Sequence, residues 1–155
     1  MLAEAPNRPA GLQSGRISLV SLTREFWTEP DLKGLQPQEL DFQEFKSSPW
    51  LEHDGEVSGV FLINYSKQVS AFANGSGGRI FIGIDDQGQV DGGVHRKLKG
   101  GGVRAWLEDV TPGAVDPPLI SFNVVEILSD GGPDSAIEPD RAVYVVEIPP
   151  SDQAP

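Results

Sequence analysis

Three carboxylates and one cluster of cations are the residues best suited to chemistry in this chain. Glu39 and Glu44 stand five apart in Glu39-Leu-Asp-Phe-Gln-Glu44-Phe45-Lys46, and Asp85 opens the acidic turn Asp85-Asp86-Gln87-Gly88. Carboxylate oxygens are the ligands that hard cations such as Mg²⁺ or Mn²⁺ require. A metal so held can neutralise a phosphodiester and activate a water. Lys46 falls on the strand face of Glu44 and could steady a phosphate oxygen. Glu44 and Asp85 are 41 positions apart, so only strand pairing could bring them together. The same residues also have plainer uses. Asp85-Asp86 before Gln-Gly forms a turn without any metal, and Glu39 and Asp41 could simply solvate a strand edge.

The cations are unevenly spread. Of the twelve Lys and Arg residues, Arg79, Arg96, Lys97, Lys99 and Arg104 fall between positions 79 and 104 of a chain whose net charge is −11. That overall charge repels polyanions at long range, so any phosphate recognition must come from short-range contacts. Arg96, Lys97 and Lys99, in the glycine-flanked stretch 92–102, are the expected nucleic-acid contacts, with Lys46 as a fourth. Trp106 lies nearby and could stack an unpaired base, although a tryptophan at helical spacing more often belongs to the core. The bland alternative for the whole cluster is ordinary solvated charge.

Other chemistries are excluded or unsupported. With no cysteine, there is no thiol nucleophile, disulfide or cysteine metal site. His53 and His95 lack a second ligand at metal spacing. No Gly-x-Ser-x-Gly elbow supports acyl transfer. The glycine turn Asn74-Gly75-Ser76-Gly77-Gly78 follows its helix, so the helix presents its negative end there, unlike a phosphate-cradling loop.

The elements that must position these groups can be read in order. Residues 1–15 form a polar, Pro- and Gly-containing tail, 16–150 a single domain and 151–155 a second tail. Ile17 to Leu22 is a short strand, and Phe26 and Trp27 anchor the arm to the body. Pro30 and Pro37 bracket a loop or one helical turn. Glu39 to Phe45 is a strand with Glu39 facing away from Glu44, unless Glu39 sits in the preceding loop or a bulge re-aims it. Residues 47–56 are a loop. Phe61, Tyr65, Val69 and Phe72 repeat at helical spacing, which gives the main helix, about 58–74, closed by a left-handed cap at Asn74-Gly75. Ile80 to Ile84 is a buried central strand, with Val90 pairing back after the turn. Residues 92–102 are a flexible loop, and 103–110 a shorter helix with Val103, Trp106, Leu107 and Val110 on one side. Leu119 to Leu128 and Ala142 to Ile148 form an antiparallel hairpin across an acidic loop. The fold class is α+β: a mixed, largely antiparallel sheet with the two helices packed on it.

Two motifs carry a family resemblance. The first is Ala71-Phe72-Ala73-Asn74, a double glycine, an apolar strand and Gly83-Ile84-Asp85-Asp86-Gln87-Gly88; the second is Glu39 five residues before Glu44-Phe45-Lys46. Together, in this order, they resemble the Schlafen AlbA-type domain over about residues 39–150. In that family a further short strand usually follows, so this chain looks like a minimal or trimmed version.

In nuclease members, three carboxylates at the matching positions cleave RNA. The resemblance therefore implies a nucleic-acid-binding domain, for RNA or DNA. It further implies a divalent-metal-dependent endoribonuclease in which Glu39, Glu44 and Asp85 are both catalytic and metal-holding, with Mg²⁺ or Mn²⁺ as cofactor. The competing function is a non-catalytic regulatory or protein-interaction module, which the net charge favours. A cytoplasmic location is expected from the lack of cysteine, signal peptide and membrane span, and the sequence leaves room for a homo-oligomer.

Overall fold

The computed structural model describes residues 27–35 and 42–151. Ile17–Leu22, Phe26, Glu39 and Asp41 lie outside these residues. The elements run α1 (Glu29–Leu32), β1 (Gln43–Lys46), a 3₁₀ turn (Ser48–Trp50), β2 (Glu52–His53), β3 (Glu56–Val57), α2 (Phe61–Asn74) and β4 (Gly78–Ile82), then β5 (Val94–His95), α3 (Val103–Val110), a 3₁₀ turn (Pro112–Ala114), β6 (Asn123–Ile127) and β7 (Arg141–Ile148). The architecture is α+β, as the sequence pattern predicts. No described helix is long and apolar enough to cross a membrane.

β7 is the hub of the sheet. It pairs antiparallel with β4 (Ile80 opposite Val146), with β5 (Val94 opposite Ala142) and with β6 (Val125 opposite Val145). β1 adds to β4 in parallel, with Glu44 opposite Ile80. The predicted hairpin of the last two strands is therefore present, though β6 starts at Asn123 rather than at Leu119.

Each sheet face has its own core. On one, α2 buries Phe61, Tyr65, Val69 and Phe72 against Ile80, Ile82 and Tyr144, and α3 adds Val103 and Leu107. On the other, Trp27 and Leu32 from the α1 arm cover Phe45, Phe81, Val143 and Val145. Trp27 meets Phe81 edge-on at 5.5 Å, which makes it the anchor its apolar bulk suggests. Glu29 fastens the arm: its buried carboxylate accepts N–H bonds from Asp130, Ala136 and Ile137 and the hydroxyl of Ser135 in the β6–β7 loop. Deep in the first core, Tyr65 Oη and Thr111 Oγ1 are 2.7 Å apart.

Four local expectations are corrected. The main helix starts at Phe61, not near residue 58, because residues 58–60 form the turn whose Ser58 carbonyl accepts the Phe61 N–H. Its C-cap Gly75 is not left-handed (φ −104°); the reversal is made two residues later at Gly77 (φ 84°), whose N–H bonds to the Phe72 carbonyl. Residues 47–56 are not a plain loop. They hold a 3₁₀ turn and the start of a small hairpin, β2–β3, turned by Asp54-Gly55 with both φ values positive (53° and 78°), the geometry that Asp-Gly suits. Residues 92–102 are not flexible throughout. Val94 and His95 are a strand, and Gly93 lies so close to β7 that a Cβ there would come within 3.0 Å of the Ala142 backbone.

Candidate nucleic-acid interface

The short β5 sends the chain out over the end of β7 and α3 brings it back, so the predicted basic stretch becomes the wall of a cleft. That cleft, about 630 Å³, is lined by Arg96, Lys97, Lys99 and Arg104, with Glu108 and Glu126 opposing them. Arg96 is fixed by Glu126 at 3.1 Å, and Glu126 also accepts the Tyr144 hydroxyl at 2.8 Å. The hydrogen bond to Glu126 and then its charge hold the guanidinium more firmly protonated than usual. Arg96 Nε is nevertheless buried without a partner among the described residues. Lys97 is exposed, and Lys99 Nζ rests 5.2 Å from the centre of the Trp106 ring. Arg104, on the first turn of α3, pairs with Glu108 at 3.7 Å.

Two carboxylates hold the surroundings of the cleft. Glu52 accepts the His95 N–H and pairs with Arg141, each at 3.1 Å, which ties the β2–β3 hairpin to β5. Asp91 accepts the Ser48 N–H and hydroxyl, each at 2.7 Å, which ties the approach to β5 to the exit of β1. Thus the loop is glycine-rich at its tip and anchored at its base.

The sequence singled out Arg96, Lys97 and Lys99, and the structure gathers all three at one cleft. It did not single out Arg104 as a contact; its position directly after the Gly100-Gly101-Gly102 run was the available signal. It also passed over Trp50. That ring packs at 5.1 Å on Phe61, and Phe61 packs at 5.6 Å on Trp106. Lys46 Nζ stands 5.4 Å over the Trp50 ring and 3.3 Å from Glu44.

The carboxylates are placed as follows. Glu44 is half-exposed on β1, on the α2 face of the sheet beside Lys46. Asp85 follows β4, the strand paired with β1; the N–H groups of Gly83 and Ile84 both bond to the Lys46 carbonyl, at 2.7 and 3.2 Å. Glu44 therefore lies on β1 and Asp85 three residues beyond the C-terminal end of β4, its parallel neighbour. Asp85 Oδ1 accepts the N–H groups of Gln87 and Gln89 at 2.9 and 3.0 Å, so one of its oxygens shapes the turn. The other has no hydrogen bond among the described residues. Among these residues no group of three or more His, Asp or Glu side chains is set to hold a metal. Hard oxygen donors are present in Glu44 and Asp85, the right chemistry for Mg²⁺ or Mn²⁺.

No curated protein matches the chain. The sequence pattern of the Schlafen, AlbA_2 family, however, fits residues 39–155, most of its length, and spans both motifs and every element from β1 to β7. This chain belongs to the Schlafen, AlbA_2 family.

Proposed function

We propose that this domain binds nucleic acid through the cleft between β5 and α3. The observation that carries the reading is the convergence of Arg96, Lys97, Lys99 and Arg104 on one concavity of a chain with net charge −11. Cations outnumber carboxylates in the cleft, and Arg96 is already committed to Glu126. Arg104 keeps only a long, exposed 3.7 Å contact with Glu108, so Lys97, Lys99 and Arg104 are the groups that can turn to phosphates. Family membership, which carries a nucleic-acid-related role, supports the same conclusion.

Each neutralised phosphate contributes about 0.7–0.9 to the slope of log affinity against log salt. Replacing Lys97, Lys99 and Arg104 by alanine should weaken binding to all sequences and flatten that slope by about two to three units. A salt titration of wild type and triple variant reads this directly. An unchanged slope removes the cleft from the interface.

Catalysis is the second reading, favoured by Glu44 on β1 and Asp85 in the turn that leaves β4, the strand paired with β1. Glu39, Glu44 and Asp85 would hold Mg²⁺ or Mn²⁺, which when bound supplies charge neutralisation at a phosphodiester. Lys46, paired to Glu44, would hold a phosphate oxygen beside it.

A further inference from the structure

We propose that the aromatic row Trp50–Phe61–Trp106 is a stacking platform for unpaired bases, so that the ligand is a single strand lying between the cleft and Glu44. This rests on the nucleic-acid reading above and names its substrate class. Three observations carry it. The Phe61 ring packs on both indoles, with centroid spacings of 5.1 and 5.6 Å. Both indoles are half-buried while Phe61 is fully buried, so the row presents two aromatic surfaces on a hydrophobic base. Each indole carries a lysine ammonium over its ring, Lys46 on Trp50 and Lys99 on Trp106. A flexible lysine resting there marks a ring face that core atoms do not occupy. When a base takes that face, the lysine is left beside the adjoining phosphate.

The arrangement also joins two places that are far apart in sequence. Lys99 lines the basic cleft, and Lys46 pairs with Glu44. A strand following the row would run from the cations of the cleft to the carboxylate on β1. Duplex bases are stacked on one another and cannot reach the indoles, so the surface discriminates by strandedness rather than by sequence.

The test compares a short single-stranded RNA with a duplex of the same sequence. Wild type should bind the single strand at least about tenfold more tightly. Trp50→Leu and Trp106→Leu should each weaken single-strand binding about five- to hundredfold, the range of one lost base stack, with the salt slope unchanged. Trp50→Phe and Trp106→Phe should restore most of it. A second readout needs no folding-sensitive substitution at the row: tryptophan emission of the wild type should be quenched by the single strand. Trp27, buried on the opposite face of the sheet, should contribute nothing, so Trp27→Phe should quench as fully. Equal affinity for duplex and single strand, or unquenched emission on saturation, overturns the inference even where binding depends on Lys97 and Arg104. Absence of all binding by wild type overturns the nucleic-acid reading itself and this inference with it.

Discussion

The ring of Phe72 lies directly over Gly78: a Cβ built on that glycine would come within 2.4 Å of the ring. Helix α2 can sit this low on the sheet only because β4 begins without a side chain. Gly78→Ala should therefore destabilise the fold by about 2 kcal/mol through overpacking. Phe72→Ala should cost about 3–5 kcal/mol through loss of a large buried side chain. The double variant should cost clearly less than the sum, because the cavity left by one admits the methyl of the other. Urea unfolding of the four proteins measures all three quantities; strict additivity would show that the two residues do not share the contact.

Acid should loosen the α1 arm before it unfolds the sheet. Burial alone would raise the Glu29 carboxyl, but bonds from Asp130, Ser135, Ala136 and Ile137 outweigh it and hold the group below its ordinary value. A depressed carboxyl stabilises the fold above its unfolded value, and that contribution is lost as pH falls through the lower folded value. Trp27 emission should therefore shift on acidification below the ordinary carboxylate range, ahead of far-UV circular dichroism. Glu29→Gln should remove this early phase and cost about 2–4 kcal/mol at neutral pH. Coincident acid transitions by both probes would refute it.

Both tyrosines should resist ionisation. Tyr65 is raised well above the ordinary phenol value by burial, and Tyr144 by burial and then by its hydrogen bond to Glu126. A raised folded value means stability is full below the unfolded value near 10 and falls as pH climbs past it. Tyrosinate absorbance should thus stay low in the native protein at that pH and rise only with unfolding. Half the tyrosine signal titrating in the folded state would show that one of the two phenols is open to solvent.

Glu44 and Asp85 can be tested separately from the cleft. If the carboxylates are catalytic, Glu44→Gln and Asp85→Asn should each reduce Mg²⁺- or Mn²⁺-dependent RNA cleavage by about a hundredfold or more while leaving binding nearly unchanged. Asp85→Asn keeps an oxygen for the Gln87 and Gln89 N–H groups, so the turn survives the change. Cleavage that persists in both variants would leave Asp85 as a turn former and Glu44 as the partner of Lys46.

Much of this was legible in the sequence because periodicity reports burial. Phe61, Tyr65, Val69 and Phe72 repeat at helical spacing and are all buried, and residues 103–110 form the second helix as the pattern indicates. The β2–β3 hairpin was missed because two-residue strands have no period to show; Asp54-Gly55 was its visible trace. β5 was missed for a related reason. Gly92 and Gly93 look like flexibility, yet here glycine serves close backbone approach to Ala142, a demand set by a strand almost fifty residues later. Arg96, Lys97 and Lys99 were found as a cluster of charge. That Arg96 is spent on Glu126, and that Arg104 and Trp50 join the surface, depends on β6 and α2, which local composition does not reveal.

The central place of β7 has a consequence for synthesis on the ribosome. Among the described residues, every antiparallel ladder of the main sheet uses residues 141–148, so none of these ladders can form until that segment has cleared the exit tunnel. Until then the described part of the main sheet has only the parallel β1–β4 ladder, whose four matched positions leave the apolar edge of β4 bare. A stalled chain lacking β7 should therefore be protease-sensitive and a ready client for chaperones that hold exposed strand edges, and release of those eight residues should convert it abruptly to the folded domain.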